Sequence, residues 1–471
     1  MLALSILLVY NTRVMNSISK EKGCENKFVL AFQNLIYSNL FPLLISLLTL
    51  VFYFVNGFVG ILIFSITATF IFIFCKDMSG VLPLFFNAPF LLSDLKIFDN
   101  PLNFLVFLPA LIGVIFHFIK HPSKVKLGVY GISLLCVLLS YFLSGILYEN
   151  HYFFFQPDKA WFGLTMSLVL GVGLGSIVTY LVLKIGLHSE RVKNFDLSVY
   201  IANTLIYLAL MVTMQVIFTR ATGNMTAWFG WGHRNFTGII ILLSVPMCAY
   251  LLIKTERIFT YLFIILFLTL GTVISEVDAA TGIILIFSPL MAFYILSKLK
   301  KRKEMIFLNA CYTFVLLFLA LVFYKLASKP SYLSSLYSRF IDDSGRTYIY
   351  QNAIKLFKEN PIFGKGVFYP FIHAFLWTTN YHSSIIQALA TTGVFGLTML
   401  LFTYFARFNI LMKKDTPFNA CALLSVIFFI AHSSIDCGES TVISLIVVAL
   451  ITATEHLNKF DKQTLPLLSL S

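Results

Sequence analysis

A histidine at position 382, in Tyr381-His382-Ser383-Ser384, closes the one long polar loop of the chain and opens an apolar segment that runs through Gly393-Val394. A free imidazole titrates at about 6.5, so it can take a proton from a hydroxyl near neutral pH. The loop before it, residues 328–382, carries Lys329, Arg339, Arg346, Lys355, Lys358 and Lys365. A proton acceptor at the mouth of an apolar segment, beside a set of cations, suits chemistry on a lipid-borne anionic substrate.

Within the loop, Gly345 to Lys358 is expected to form an amphipathic helix, capped by Asp343 or Ser344 and ended by Asn360-Pro361. Arg346, Tyr350, Ala353 and Phe357 recur on one of its faces. In the first turn, the guanidinium of Arg346 and the free backbone N–H groups together can hold a phosphate. Pro361-Ile362-Phe363-Gly364-Lys365-Gly366 follows as a glycine-bearing turn. It lacks the G-x-x-x-x-G-K-[ST] order of a phosphate loop and reads as a connector.

These residues need a scaffold, and composition says what kind. The chain is 59% hydrophobic and only 12% charged, against roughly 25% charged in soluble domains. With a mean hydropathy of +0.87, this predicts an all-α polytopic membrane protein. Apolar runs at 35–54, 57–75, 102–118, 127–147, 163–185, 198–218, 237–253, 258–276, 281–297, 305–327, 383–406, 417–436 and 441–455 are the candidate spans. Together with the short apolar piece Val81 to Leu92, re-entrant or tilted, they imply about 12–14 helices. Three parts follow: helices in 1–327, the loop 328–382, and helices with a short tail in 383–471. The N-terminal apolar stretch lacks a basic start and a cleavage site, so it reads as a membrane or interfacial segment and not a signal peptide.

The net charge of +13 follows the positive-inside pattern. Lys298 to Lys303 and the loops at 184–193 and 254–257 are basic and fall on one side, the cytoplasmic one. The loops near Asp158, Glu276-Asp278 and Asp436-Glu439 are acidic and fall on the other. The loop 328–382 is external yet basic, which frees its cations for a ligand. No basic-aromatic motif suggests nucleic acid, and no Cys/His spacing suggests a metal.

Three linked elements carry a resemblance: Arg346-x3-Tyr350-x2-Ala353, then Asn360-Pro361-x2-Gly364-x-Gly366, then His382-Ser383-x9-Gly393-Val394. They resemble the O-antigen ligase and polymerase family of bacterial envelopes. More loosely, Gly232-His233-Arg234-Asn235 before a span resembles that family's asparagine-containing segment. The resemblance implies a GT-C-like architecture and a multi-pass protein of the bacterial inner membrane whose active site faces the periplasm. It implies transfer of a glycan from undecaprenyl diphosphate to a hydroxyl of lipid A-core or of a growing glycan, with inversion and without metal or other cofactor. His382 matches the general base, and Arg346 the arginine that stabilises the diphosphate leaving group.

A further family arginine has no counterpart in Asp278-Ala279-Ala280-Thr281-Gly282. Arg234, Arg220 or Arg339 is the expected substitute, with Lys355 and His233 as further substrate contacts. Other features read more simply. His432-Ser433-Ser434-Ile435-Asp436 echoes the first His-Ser-Ser and is expected to be structural, with Asp436 available to orient a neighbour. His373 reads as packing, and Glu276 and Asp278 as capping or sugar contacts.

The alternative from another class is a transporter or flippase of a lipid-linked or small anionic solute. Pro246 and Pro289 are the places where helices could break for that purpose. Ionisable residues concentrated at span edges and in the loop favour surface chemistry over passage.

Overall fold

The computed structural model describes residues 27–94, 101–122, 126–147, 172–188, 195–223, 234–299, 346–366, 371–373, 376–378, 381–436, 438–441 and 443–460. Among the described residues, eleven α-helices precede the loop: α1 (Lys27–Ile36), α2 (Leu40–Val55), α3 (Gly57–Phe74), α4 (Leu82–Asp94), α5 (Leu108–Lys120), α6 (Val129–Leu147), α7 (Gly175–Gly186), α8 (Leu197–Ala221), α9 (Arg234–Thr255), α10 (Ile258–Ile274) and α11 (Asp278–Leu299). The loop supplies α12 (Arg346–Glu359) and a small antiparallel hairpin, β1 (Phe371–His373) with β2 (Leu376–Thr378). Three helices follow: α13 (Ser384–Leu411), α14 (Pro417–Ser433) and α15 (Ser444–Phe460). The all-α class holds, with that hairpin as its one addition among the described residues.

Four of these helices are long and apolar enough to cross a membrane, and the α1–α2 pair, bent by 77°, makes a fifth. Shorter apolar helices account for most of the remaining expected spans, while 305–327 and the start of 163–185 lie outside the described residues. Phe259, Phe263, Ile286, Ile119 and Val55 stand on the outer surface, as a lipid-facing belt requires.

Hydrophobicity all round marks a helix for the centre of a bundle, and α9 occupies it. It packs on α8, α10, α11 and α14, and Ile239 to Leu243 are wholly buried. Pro246 in α9 and Pro289 in α11 are both held inside continuous helices. The short piece at 81–92 is an enclosed element: a 3-10 turn, Ser79–Val81, leads into α4, which packs on α2, α3, α8 and α15 with Leu82, Phe86 and Phe90 buried.

Helix starts follow from their caps. Asn56 accepts from Val59 N–H at 3.2 Å to open α3, and Asp196 accepts from Ser198 and Val199 N–H to open α8. Thr416 accepts from Asn419 N–H at 3.1 Å to open α14, with Pro417 at its first position. Each cap satisfies a backbone donor that the helix itself leaves open.

Candidate functional site

The site grows from an exchange of backbone hydrogen bonds between the loop and α13. After α12 ends, Gly364 N–H donates to Asn360 O and tightens the turn 360–366. That turn enters a break in α13 at Gly393, whose φ of 66° and ψ of −163° are not helical. In an unbroken helix the carbonyls of Ala390 and Thr391 would accept from residues 394 and 395. Here they accept from Lys365 N–H at 2.9 Å and Gly366 N–H at 3.1 Å. The displaced donors, Val394 and Phe395 N–H, go to Pro361 O at 2.9 Å and Ile362 O at 3.0 Å. These four backbone groups are thus answered by the turn, as an apolar setting demands.

Two glycines make the insertion possible. A Cβ on Gly393 would meet Ile362 O at 2.4 Å, and one on Gly364 would meet Thr391 C at 2.2 Å. Both residues also hold positive φ, which glycine alone adopts without penalty. The segment 361–366 is therefore a docking element and not the simple connector that its lack of a phosphate-loop order suggested.

The same docking lays α12 along α13. Ile349 and Ala353 of α12 are buried with Tyr381 and Ala390. Tyr350 donates its hydroxyl to His382 O at 3.2 Å. Arg346 stands one turn, about 6 Å, further along the axis, so the helix that carries the arginine is bonded directly to the histidine. Ala353 keeps the close approach because it has only a methyl group.

His382 itself sits at φ 49°, left-handed backbone that non-glycine residues adopt rarely. Ser383 next to it caps α13 by accepting from Ile386 N–H. The imidazole is 31% exposed, and its Nδ1 lies 3.8 Å from Asp436 Oδ1. That is ion-pair reach, longer than a hydrogen bond. The other Asp436 oxygen accepts from Asn235 Nδ2 at 2.6 Å, and Asp436 O accepts from Ser384 N–H at 3.1 Å. Asp436 is held at the end of α14, where its N–H and that of Ile435 both donate to His432 O. His432 is buried in that helix end, in keeping with a structural part.

Asn235 and Asp436 are the residues beside His382 that sequence reasoning underrated. The signal for Asn235 is its place in the Gly232-His233-Arg234-Asn235 segment. The backbone of Arg234 opens α9, while its side chain, His233 and Arg339 lie outside the described residues, as do the side chains of Asp278 and His373. Arg220, at the end of α8, pairs with Glu276 at 3.2 Å. Lys355 is exposed on α12. Neither is brought to His382 by any contact described above. No group of three His, Cys, Asp or Glu side chains gathers at metal-binding distance among the described residues.

Residues 262–401 match the O-antigen ligase family model. The matched O-antigen ligase region runs from α10 into α13. It contains Arg346, Tyr350, the 360–366 turn, His382 and Gly393, so the resemblance carried by the three motifs holds where the structure links them. Asn235, Arg220, Asp436 and the helices before α10 stand outside it. No curated protein and no solved structure matches the chain.

One feature departs from expectation. Arg407 and Glu439, both almost fully buried, form a two-pronged ion pair inside the bundle, with Nη2 to Oε2 at 3.0 Å. Ionisable residues are therefore not confined to span edges and the loop.

Proposed function

We propose that the chain is a polyprenyl-diphosphate-dependent glycosyltransferase of the O-antigen ligase type. In this reading it moves a glycan from undecaprenyl diphosphate to a hydroxyl of lipid A-core, at the outer face of the bacterial inner membrane. The observation that carries this reading is the histidine beside Asp436, tied through Tyr350 to the helix that bears Arg346. The family match supports a ligase- or polymerase-type transferase; the donor, the acceptor and the roles below are the proposal.

Asp436 favours the tautomer with the proton on Nδ1, which leaves Nε2 to accept a proton. Nε2 takes the proton of the acceptor hydroxyl as its oxygen bonds to the anomeric carbon. The bond from that carbon to the diphosphate oxygen breaks with inversion, and the lipid diphosphate departs with both electrons. Arg346 meets the charge that develops on the leaving group, where a preorganised cation has most effect. The proton held by His382 is released to solvent after the product leaves. Each step in this proposal falls to the chain's own residues, and metal independence is what the family resemblance implies. Arg220 and Arg234 remain proposed donor contacts at the ends of their helices.

The break in α13 favours a second reading, because transporters build their sites on discontinuous helices. Against it, the carbonyls freed at Gly393 accept from Lys365, Gly366 and Ser144, so they face protein and not a solute.

One assay separates the readings. Purified protein in nanodiscs receives an undecaprenyl-diphosphate glycan, with lipid A-core supplied or omitted and with a chelator present or absent. Transfer that persists with chelator, and is lost in folded His382→Ala and Arg346→Ala, is the expected result. Acceptor dependence separates ligase from polymerase. Movement of the donor across the bilayer of sealed proteoliposomes, without transfer, overturns the enzyme reading.

A further inference from the structure

Glu439 is bonded to two parts of α13 that lie far apart in sequence. Its backbone N–H donates to Ser384 Oγ at 3.2 Å, while its carboxylate takes the guanidinium fork of Arg407. Ser384 and Arg407 are 23 residues apart, which a straight helix would stretch to about 34 Å. No single glutamate spans that distance. The break at Gly393 therefore folds the first leg of α13, residues 384–392, back toward the second, residues 394–411. Residues of both legs accordingly face one small cavity of about 20 Å³, where Ser384, Gln387 and Thr391 meet Leu400 and Glu439.

We infer that Glu439, held by Arg407, is a positioning residue that sets the angle between the two legs and thereby stations His382 against Asp436. Ser384 is the hinge of the linkage. Its Oγ receives the Glu439 N–H, its own N–H donates to Asp436 O, and His382 lies two residues before it. The 3-10 turn Gly438–Ser440 is short and has little apolar surface of its own to anchor it. A buried ion pair is a costly way to hold a turn, because both charges are taken out of water. A two-pronged arginine–carboxylate pair also fixes direction as well as distance, and direction is what a folded-back leg needs. The inference rests on the transferase reading for its kinetic consequence, but not for its structural one.

The test uses the full-length protein in nanodiscs, comparing wild type with Glu439→Gln and with the neutral pair Arg407→Gln/Glu439→Gln. The pair variant leaves no lone buried charge, which guards against simple misfolding. Amide hydrogen exchange of peptides covering 381–392 is read first. The brace predicts at least tenfold faster exchange in both variants, with exchange in α9 unchanged. Transfer kinetics are read second: kcat falls about tenfold while KM for the lipid-linked donor stays within twofold. Unchanged exchange at 381–392 in the folded pair variant overturns the brace whether or not the protein transfers glycan. Wild type that never transfers glycan sinks the transferase reading alone, and the exchange result still decides the brace. Wild-type kcat in a pair variant whose first leg has loosened overturns the link to His382.

Discussion

The tetrapeptide His-Ser-Ser-Ile occurs twice, at 382–385 and at 432–435, and the two copies meet opposite fates. The first begins a helix. His382 lies outside the helical backbone, Ser383 becomes the cap, and the imidazole keeps access to solvent. The second copy ends a helix. His432 and Ser433 are buried in the last turn of α14, and the carbonyl of His432 is spent on holding Asp436. The copies then touch, since Ser384 of one donates to Asp436 just after the other. One histidine is thus presented and the other builds the mount for its partner. Identical residues differ in role because a helix start leaves N–H groups open for a side chain such as Ser383 to cap, whereas a helix end leaves carbonyls open, and here His432 O accepts from Ile435 and Asp436.

The largest effect that can break this contrast is kinetic. His382→Ala is expected to lower kcat for glycan transfer by on the order of 10²–10⁴-fold, with an unchanged melting temperature in detergent. Next comes Gly393→Ala, which removes the backbone that lets the first copy lie where it does. It should cost about 3 kcal/mol and lower the melting temperature, with loss of transfer following the loss of folded protein. His432→Ala is expected to cost about 2 kcal/mol of stability while the folded fraction transfers at near the wild-type rate. If His432→Ala abolished transfer without unfolding, and His382→Ala did not, the division of roles would be reversed.

The smallest effect isolates capping from chemistry at a third helix start. Burial pushes the Asp196 carboxyl up, but hydrogen bonds from Ser198 and Val199 and the nearby Lys254 outweigh it and hold the group below its usual 3.8. A depressed carboxylate contributes stability above its unfolded value and loses it as pH falls through the folded one. The side chain is 43% exposed, so screening leaves this well under about 1 kcal/mol. Asp196→Asn keeps the cap and removes the charge. Its melting temperature should therefore be slightly lower than wild type at pH 7, with the gap closing below about pH 4. A gap that widened on acidification would contradict the assignment.

Much of this was legible before any coordinates. The apolar runs marked most of the helices, because spans in lipid must satisfy their backbone internally and so leave long uniform stretches. Helix α12 was readable to within a residue at each end, since Asn360-Pro361 stops it. Relations between distant segments were harder. Nothing local in Pro361 to Gly366 says that its N–H groups replace those of residues 394 and 395, because an exchange of partners leaves no periodic trace. The short piece at 81–92 read as re-entrant or tilted because of its length, and its burial comes from four neighbouring helices. Glu439 read as part of an external acidic loop, and only the fold of α13 brings it to Arg407.

The hydrogen-bond exchange at Gly393 also says how the molecule can be cut and rejoined. Four backbone bonds cross between residues 361–366 and 390–395, so neither segment keeps its shape with a stranger's counterpart unless both glycines and both carbonyl directions agree. A graft of residues 346–366 alone would strip those partners away, leaving polar groups stranded in an oily interior. A graft of 346–411 carries lock and key together. Chimeras between chains that share this region should therefore be spliced before α12 and after α13, never at the histidine between them.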